Sequence, residues 1–357
     1  MQPFFTLNSL LVIPSFRVKE VPKMTQLNQQ HSSSPKPQLS GKASTQPSLE
    51  STASPRFSFK TIQNIQRAFL LAPGVLLYGI FNFIPLMGLF YISMVDWPGI
   101  GEKKFVGLDN FKKILGEEYY RDQLFNALAQ NVIFFIVIIG SFLLIGTGLA
   151  MLLSFKTWGR KTYQIIYFLP YPMAGAAVAY LLDLFVHPRG LLNAALVKSG
   201  VTDLPIPFLG SEDTALVTLA LFYSWHRMGF AIMLILSGIL AVRTDLLEAS
   251  MLDGANRFQS IKNVVLPVLG PAFILITVIT MVDVFNNADY TLLIMGPEAG
   301  PFYSTDIMGT FLFRSAFGAS VAASDANFGL AAAIGLVTAL MILPAALFLA
   351  LRNLRNK

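Results

Sequence analysis

The sequence contains no cysteine, which excludes disulfides and thiolate metal sites and leaves the redox compartment open. Its three histidines, His31, His187 and His226, lie far apart without ligand-like spacing, so no metal site is expected. Charge is scarce as well: 13% of residues are charged against 54% hydrophobic, too apolar a balance for an ordinary soluble domain. The net charge of +6 comes without a basic stripe interleaved with aromatics, which argues against a nucleic-acid partner. There is no H-E-x-x-H and no clustered carboxylate pair, so a membrane-embedded enzyme ranks last. A phosphate loop of the form G-x-x-x-x-G-K-S/T is missing too, since Gly41-Lys42 lacks the preceding glycine and the following hydroxyl residue.

What is present is a series of long apolar runs, about 68–94, 126–154, 163–186, 214–240, 265–288 and 328–351, separated by loops that carry most of the charge. Runs of about 20 residues match the length a helix needs to cross a hydrocarbon core roughly 30 Å thick, so membrane lipid is the expected solvent. The pattern predicts an all-α membrane protein of six transmembrane helices, with both termini on one side. Lys and Arg excess assigns that side to the cytoplasm: Arg56, Lys60 and Arg67 before the first run, Lys156, Arg160 and Lys161 in the second loop, Arg243, Arg257 and Lys262 in the fourth, and Arg352, Arg355 and Lys357 at the tail. The first opposite loop is mixed, with Lys103, Lys104, Lys112, Lys113 and Arg121 offset by Glu102, Asp109, Glu117, Glu118 and Asp122. Pro73, Pro85, Pro170, Pro172 and Pro344 fall inside runs and predict bent helices, which membrane neighbours tolerate.

Residues 1–60 are rich in Ser, Thr, Gln and Pro and read as a disordered cytoplasmic tail, leaving 61–357 as the membrane domain. The opening FFTLNSLLVIPSF lacks the basic flank of a signal peptide, and Met24 is an equally good start.

The fourth cytoplasmic loop differs from the others. From Thr244, the expected N-cap, it runs Asp-Leu-Leu-Glu248-Ala249-Ser250-Met-Leu-Asp253-Gly254-Ala255-Asn-Arg-Phe258 and on to Pro267. Asp245 suits a first helical turn and Gly254 a left-handed helix end, so two short helices with a turn between them are predicted. The string E-A-S-x-x-D-G-A, eleven residues, then Pro267, resembles the EAA loop of ATP-binding-cassette (ABC) importer permeases, with Ser250 where Ala is usual. The resemblance implies a cytoplasmic coupling helix between spans 4 and 5 that docks in a cleft of a separate ATPase through Glu248, Ala249, Ser250, Asp253, Gly254 and Ala255, with Phe258 packing beneath. Small residues allow close approach and the two acids orient the contact. The bland alternative is an ordinary amphipathic interfacial helix.

Further segments are similar, in the same order, to carbohydrate permeases of the maltose and glycerol-phosphate type: Val106-Gly-Leu-Asp-Asn-Phe, Gly190-Leu-Leu-Asn193, Trp225 with Gly229-Phe230, Gly296-Pro297, Ser304-Thr305-Asp306 and Ala316-Phe317. Each alone is a common loop or packing pattern. Together they resemble the first of two unlike permeases in a prokaryotic inner-membrane importer. That resemblance implies a second related permease, an ABC ATPase dimer holding ATP and Mg, an extracytoplasmic solute-binding protein, and a sugar or polyol substrate, with no cofactor on this chain and no catalysis of its own. A homodimer is the runner-up assembly. A secondary transporter or channel is the rival class, although such a protein has no use for a coupling loop.

Ionisable groups inside spans are costly and therefore functional candidates. Arg227 in the fourth span and Asp283 in the fifth fall near the same depth, roughly 13 and 15 residues from the inner ends at about 1.5 Å each. A cavity-facing pair and a buried structural pair both fit. For a neutral polyol, aromatic faces and amides are the expected contacts, which adds Tyr180, Asp183, Tyr223, Trp225, Asn286, Asn287 and Tyr290 as substrate-path candidates. His226 reads as a satisfied helix residue.

Overall fold

The computed structural model describes residues 59–155, 159–318 and 326–355, so the tail expected over 1–60, with its alternative start at Met24, lies outside them but for its last two positions. The chain from Ile65 to Lys357 forms one compact unit. Its regular structure among the described residues is helical except for one short hairpin. α1 (Phe59–Tyr78) continues through a widened π-turn at Gly79–Phe83 into α2 (Ile84–Ser93). Pro85 has no N–H to offer the carbonyl four residues back, and the helix widens just ahead of it. Strands β1 (Val95–Asp96) and β2 (Lys104–Phe105) pair antiparallel, followed by α3 (Asp109–Gly116). α4 (Glu118–Ser141) and α5 (Thr147–Ser154) join through a second π-turn into one long helix.

α6 (Arg160–Phe168) and α7 (Gly175–Val186) then occupy the stretch predicted as the third span, and α8 (Leu191–Lys198) follows. α9 (Ala215–Leu240) is the central helix, packed against α4, α5, α6 and α13. α10 (Thr244–Leu252), α11 (Arg257–Ser260), a π-turn at Ile261–Val265 and α12 (Leu266–Val268) lead into α13 (Gly270–Asn286). α14 (Asp289–Met295), α15 (Met308–Phe317) and α16 (Phe328–Arg355) close the chain, with α16 packed on α2, α3, α13 and α15.

Among the described residues, four helices are long and apolar enough to cross a membrane: Arg67–Ser93, Glu118–Ser154, Ala215–Leu240 and Phe328–Phe348. The fifth predicted run is a bent pair, Phe258–Val268 and Gly270–Asn286, at 58°. The third predicted run, 163–186, is divided between α6 and α7 rather than forming one bent helix. Pro170 and Pro172 have no N–H to continue a helical ladder, and the chain turns at 169–174, held by Tyr171 N–H to Phe168 O (3.1 Å) and Met173 N–H to Pro170 O (3.0 Å). α6 leans on α9 while α7 packs on α14 and α8.

The family-like loop segments act as staples. Asn110 Nδ2 donates to Ser93 O (2.9 Å) and Val95 O (3.0 Å), tying α3 to the end of α2 and the hairpin. Asn193 Nδ2 donates to the Ile206 carbonyl (2.9 Å), and its Oδ1 accepts the Ile206 N–H (2.8 Å). Lipid offers no hydrophobic drive for helices to associate, so close approach and polar ties must supply it. Gly329 at the head of α16 is such an approach: a Cβ there would sit 1.6 Å from Val95 O. Gly329→Ala is therefore expected to cost about 1–3 kcal/mol, read as a lower thermal midpoint of the detergent-purified protein. Gly148→Ala, where a Cβ meets nothing within 4 Å, is the neutral comparison. Equal midpoints for the two would reject this packing.

Candidate functional site

Two constellations stand out, one among the helices and one in the loop before α12. In the first, Arg227 on α9 and Asp283 on α13 meet, with Nε 3.9 Å from Oδ2. Their side chains remain 29% and 39% exposed, so the pair borders open space within the single chain. Asp283 also accepts a hydrogen bond from the Tyr223 hydroxyl, to which Asn287 Nδ2 donates at 3.4 Å. The Tyr223 ring meets Tyr290 edge-on at 4.9 Å and packs beside Phe134 at 5.6 Å. The Tyr290 hydroxyl bonds His226 Nδ1. Arg227 lies over the faces of Tyr171 (5.5 Å) and Tyr223 (5.6 Å), and Tyr171 stacks on Phe230 at 5.7 Å.

This geometry follows from the breaks in the neighbouring helices. Tyr171 reaches Arg227 because it sits in the turn between Pro170 and Pro172. Asn287 is extended and Tyr290 belongs to α14, because α13 stops at Asn286. The cluster thus joins a cation, an anion, two phenol hydroxyls, an amide and aromatic faces. That donor and acceptor mix suits a polar, uncharged ligand, since the two ionic groups offset one another.

Of the nine substrate-path candidates, the structure brings together Tyr223, Arg227, Asp283, Asn287 and Tyr290. The other four stand outside it. Tyr180 and Asp183 lie on the exposed face of α7, Asn286 turns back to donate to Val282 O (2.9 Å), and Trp225 packs on Phe222 at 4.9 Å beside an apolar cleft of about 500 Å³ with Tyr167 and Leu221. Tyr171 was not foreseen; the Pro-x-Pro signal in an apolar run marked its turn but not its direction. His226 is buried with Nδ1 bonded to the Tyr290 hydroxyl, but its Nε2 is buried without a hydrogen-bond partner among the described residues, so the expectation of a satisfied helix residue holds for one ring nitrogen only.

The second constellation is a helix-turn-helix knuckle. Helix α10 begins one residue earlier than the expected cap implies: Arg243 holds the cap position in extended backbone and Thr244 is already helical. Arg243 instead pairs with Asp245 at 2.8 Å, on the surface. At the other end Gly254 adopts φ +85, Ala255 N–H bonds Ser250 O (3.0 Å) and Gly254 N–H bonds Met251 O (3.1 Å). This is the left-handed helix stop anticipated for that glycine, with both Schellman bonds made. α11 opens on a reciprocal cap in which Asn256 Oδ1 accepts Gln259 N–H (2.9 Å) and Gln259 Oε1 accepts Asn256 N–H (2.8 Å).

Glu248, Ala249, Asp253 and Gly254 are exposed, and Ser250 and Ala255 are half-buried. Phe258 does not pack beneath the knuckle as expected: it is 72% exposed, on the outer side of α11, and shares the surface with exposed Leu246, Met251 and Leu252. The space beneath is taken instead by Leu247, Ser260 and Val265, which together line an apolar cleft of about 250 Å³ with Met151, Phe155 and Ile239. So many exposed apolar side chains on one short helix-turn-helix mark an interaction surface.

Comparison with known proteins gives consistent results. The profile of the family described as binding-protein-dependent transport system inner membrane component matches residues 113–355. The chain is 26% identical over 275 residues to the trehalose/maltose transport system permease protein MalF of Thermococcus litoralis, covering 77% of this chain and 88% of that protein. It is 29% identical over 251 residues to the probable starch degradation products transport system permease protein AmyD of Thermoanaerobacterium thermosulfurigenes, covering 70% and 82%. A solved bacterial ABC transporter involved in import of the acidic polysaccharide alginate shares the fold, at TM-score 0.66 and 22% identity, covering 83% of this chain and 99% of that one.

Proposed function

This chain belongs to the family of binding-protein-dependent transport system inner membrane components, the permease subunits of ABC importers, and we propose that it forms half of a membrane pathway for a sugar or related polyhydroxy solute. It is a permease subunit and not an enzyme. The cargo reading draws on relatives named for trehalose/maltose and starch degradation products, and on the neutral sum of charges at Arg227 and Asp283. On this reading the four long helices, the bent pair ending in α13 and the broken α6–α7 stretch make six spans, with both termini and the knuckle at the cytoplasmic face. Discontinuous backbone at membrane depth is tolerated where it lines a cavity or is buried in protein, as Tyr171 beside Arg227 suggests.

The observation that carries the reading is the knuckle, where Ala249, Gly254 and several apolar side chains stand uncovered on a helix stopped by the Gly254 turn. A second, related permease supplies the other half of the pathway, and a soluble binding protein delivers solute to the outer face. A separate ATPase dimer holds ATP and Mg and seats the knuckles. Gly254→Val tests this, because a β-branched residue is strained at φ +85 and adds bulk to the docking surface. Co-expressed with its partner subunits, the variant is expected to retain less than about a tenth of the co-purifying ATPase, the tenfold loss that corresponds to about 1.4 kcal/mol of binding. Full retention together with full uptake would reject the assignment of the knuckle.

A further inference from the structure

The departure at Ser250, where the resembled loop usually has Ala, has a partner. Ser250 Oγ lies 2.8 Å from Leu247 O and 2.8 Å from Ser260 Oγ. A hydroxyl carries one proton. With Ser250 donating to the Leu247 carbonyl, the bond between the two hydroxyls runs from Ser260 to Ser250. Ser260 is buried, and the adjoining cleft is mostly apolar, with Met151, Phe155, Met251 and Ile261 in its wall and the Ser154 hydroxyl turned back onto Met151 O. A hydrogen bond in such surroundings is strengthened, and an unpaired hydroxyl there is costly.

The position of this bond matters as much as its environment. Backbone continuity between α10 and α11 runs through the Gly254 turn, whose own ties are the backbone hydrogen bonds to Met251 and Ser250. The two serines bridge that turn from outside it, ten positions apart in sequence. On the far side, Phe258–Val268 is one helical body that meets Gly270–Asn286 at 58°, with buried Leu269 at the break. A force applied to α10 has two possible fates. It folds the glycine turn and is lost, or it rotates the foot of the fifth span about Leu269.

Resting on the permease reading above, we propose that Ser250 and Ser260 are a positioning pair that fastens the coupling helix to the foot of the fifth span, so that motion of the knuckle is transmitted about the bend at Leu269. Neither serine touches solute or nucleotide. Their contribution is to the stiffness of the connection, and so to how many hydrolytic cycles produce one transport event.

The test uses the complete assembly, with its partner permease, ATPase and binding protein, reconstituted in vesicles. The readout is ATP hydrolysed per solute accumulated, for Ser250→Ala, Ser260→Ala, the double variant and Ser250→Thr. Ala is the usual residue at 250 in the resembled loop, so folding is not at stake. Each single Ala variant is expected to raise the ratio about fivefold or more, the population change that accompanies loss of about 1 kcal/mol. The double variant should be no worse than the singles, as for two members of one bond. Ser250→Thr, which keeps the hydroxyl, should stay near the wild-type ratio. Co-purification of the ATPase with Ser260→Ala, a residue outside the docking set, should not move. Unchanged ratios in the single variants, additive effects in the double, a Thr variant as poor as Ala, or loss of the ATPase from Ser260→Ala would each overturn the pair. A wild-type assembly lacking ATP-dependent uptake would instead strike at the permease reading, and is told apart because it needs no substitution.

Discussion

Arg314→Met is expected to abolish most of the folded, monodisperse protein. Arg314 and Asp306 are 3% and 0% exposed, and the guanidinium grips the carboxylate with two bonds, Nη2 to Oδ2 at 2.7 Å and Nη1 to Oδ1 at 3.2 Å. It also donates to Pro297 O (3.2 Å) and to Gln123 Oε1 (2.9 Å), so one side chain joins α15, the loop before it and α4. Removing one member of a buried pair costs about 3–5 kcal/mol because the other is left uncompensated. Burial pushes the Asp306 carboxyl up from its ordinary range, against the pull of Arg314 and of the Thr310 hydroxyl. With the cation gone, the acid therefore takes a proton. Asp306→Asn imitates that neutral form, so Asp306→Asn/Arg314→Met should recover part of the yield that Arg314→Met loses. Size-exclusion profiles and thermal midpoints in detergent measure both. A single variant that folds like wild type would show that the network contributes nothing to the fold.

Asp283→Asn is expected to leave assembly intact and lower the initial rate of solute uptake at least about tenfold, or roughly 1.4 kcal/mol. The carboxylate is the acceptor of Tyr223 and the counter-charge of Arg227, and losing it leaves a partly exposed cation without its partner. Two readings were open from the sequence, a solute-facing pair and a structural pair, and a second substitution separates them. A structural pair is relieved when both charges go, so Arg227→Gln/Asp283→Asn would regain transport. A pair that orients solute is not relieved. The partial exposure of both side chains favours the solute-facing case, and the double variant is expected to stay as slow as the single. Radiolabelled uptake normalised to co-purified ATPase is the measurement.

The sequence revealed the features that depend on local chemistry. The left-handed stop at Gly254 was legible because few residues other than glycine adopt that backbone, and the Arg227–Asp283 meeting was legible because charge inside an apolar run demands a partner at equal depth. The break at Pro170 and Pro172 was legible as a discontinuity, but not its size. Whether a proline bends a helix or divides it depends on what packs on either side, here α9 against α6 and α14 against α7. The side on which Phe258 projects was missed for a related reason: in four residues of helix, the apolar periodicity of α11 has no room to repeat, so it does not say which face turns inward. The Arg314 network was missed because Arg314 lies outside the apolar runs, where a lone cation reads as a solvated residue. Its partners, Gln123, Pro297 and Asp306, are brought to it only by tertiary packing.

The account rests on force reaching this chain from a separate nucleotide-hydrolysing subunit through the knuckle. The most direct measurement is the energy source of uptake, made in vesicles that hold the complete assembly with its binding protein and a labelled maltodextrin mixture. Accumulation should require ATP on the knuckle side and persist when protonophores collapse the ion gradients. Accumulation that follows an imposed proton or sodium gradient without ATP would contradict the account and place the chain among secondary transporters.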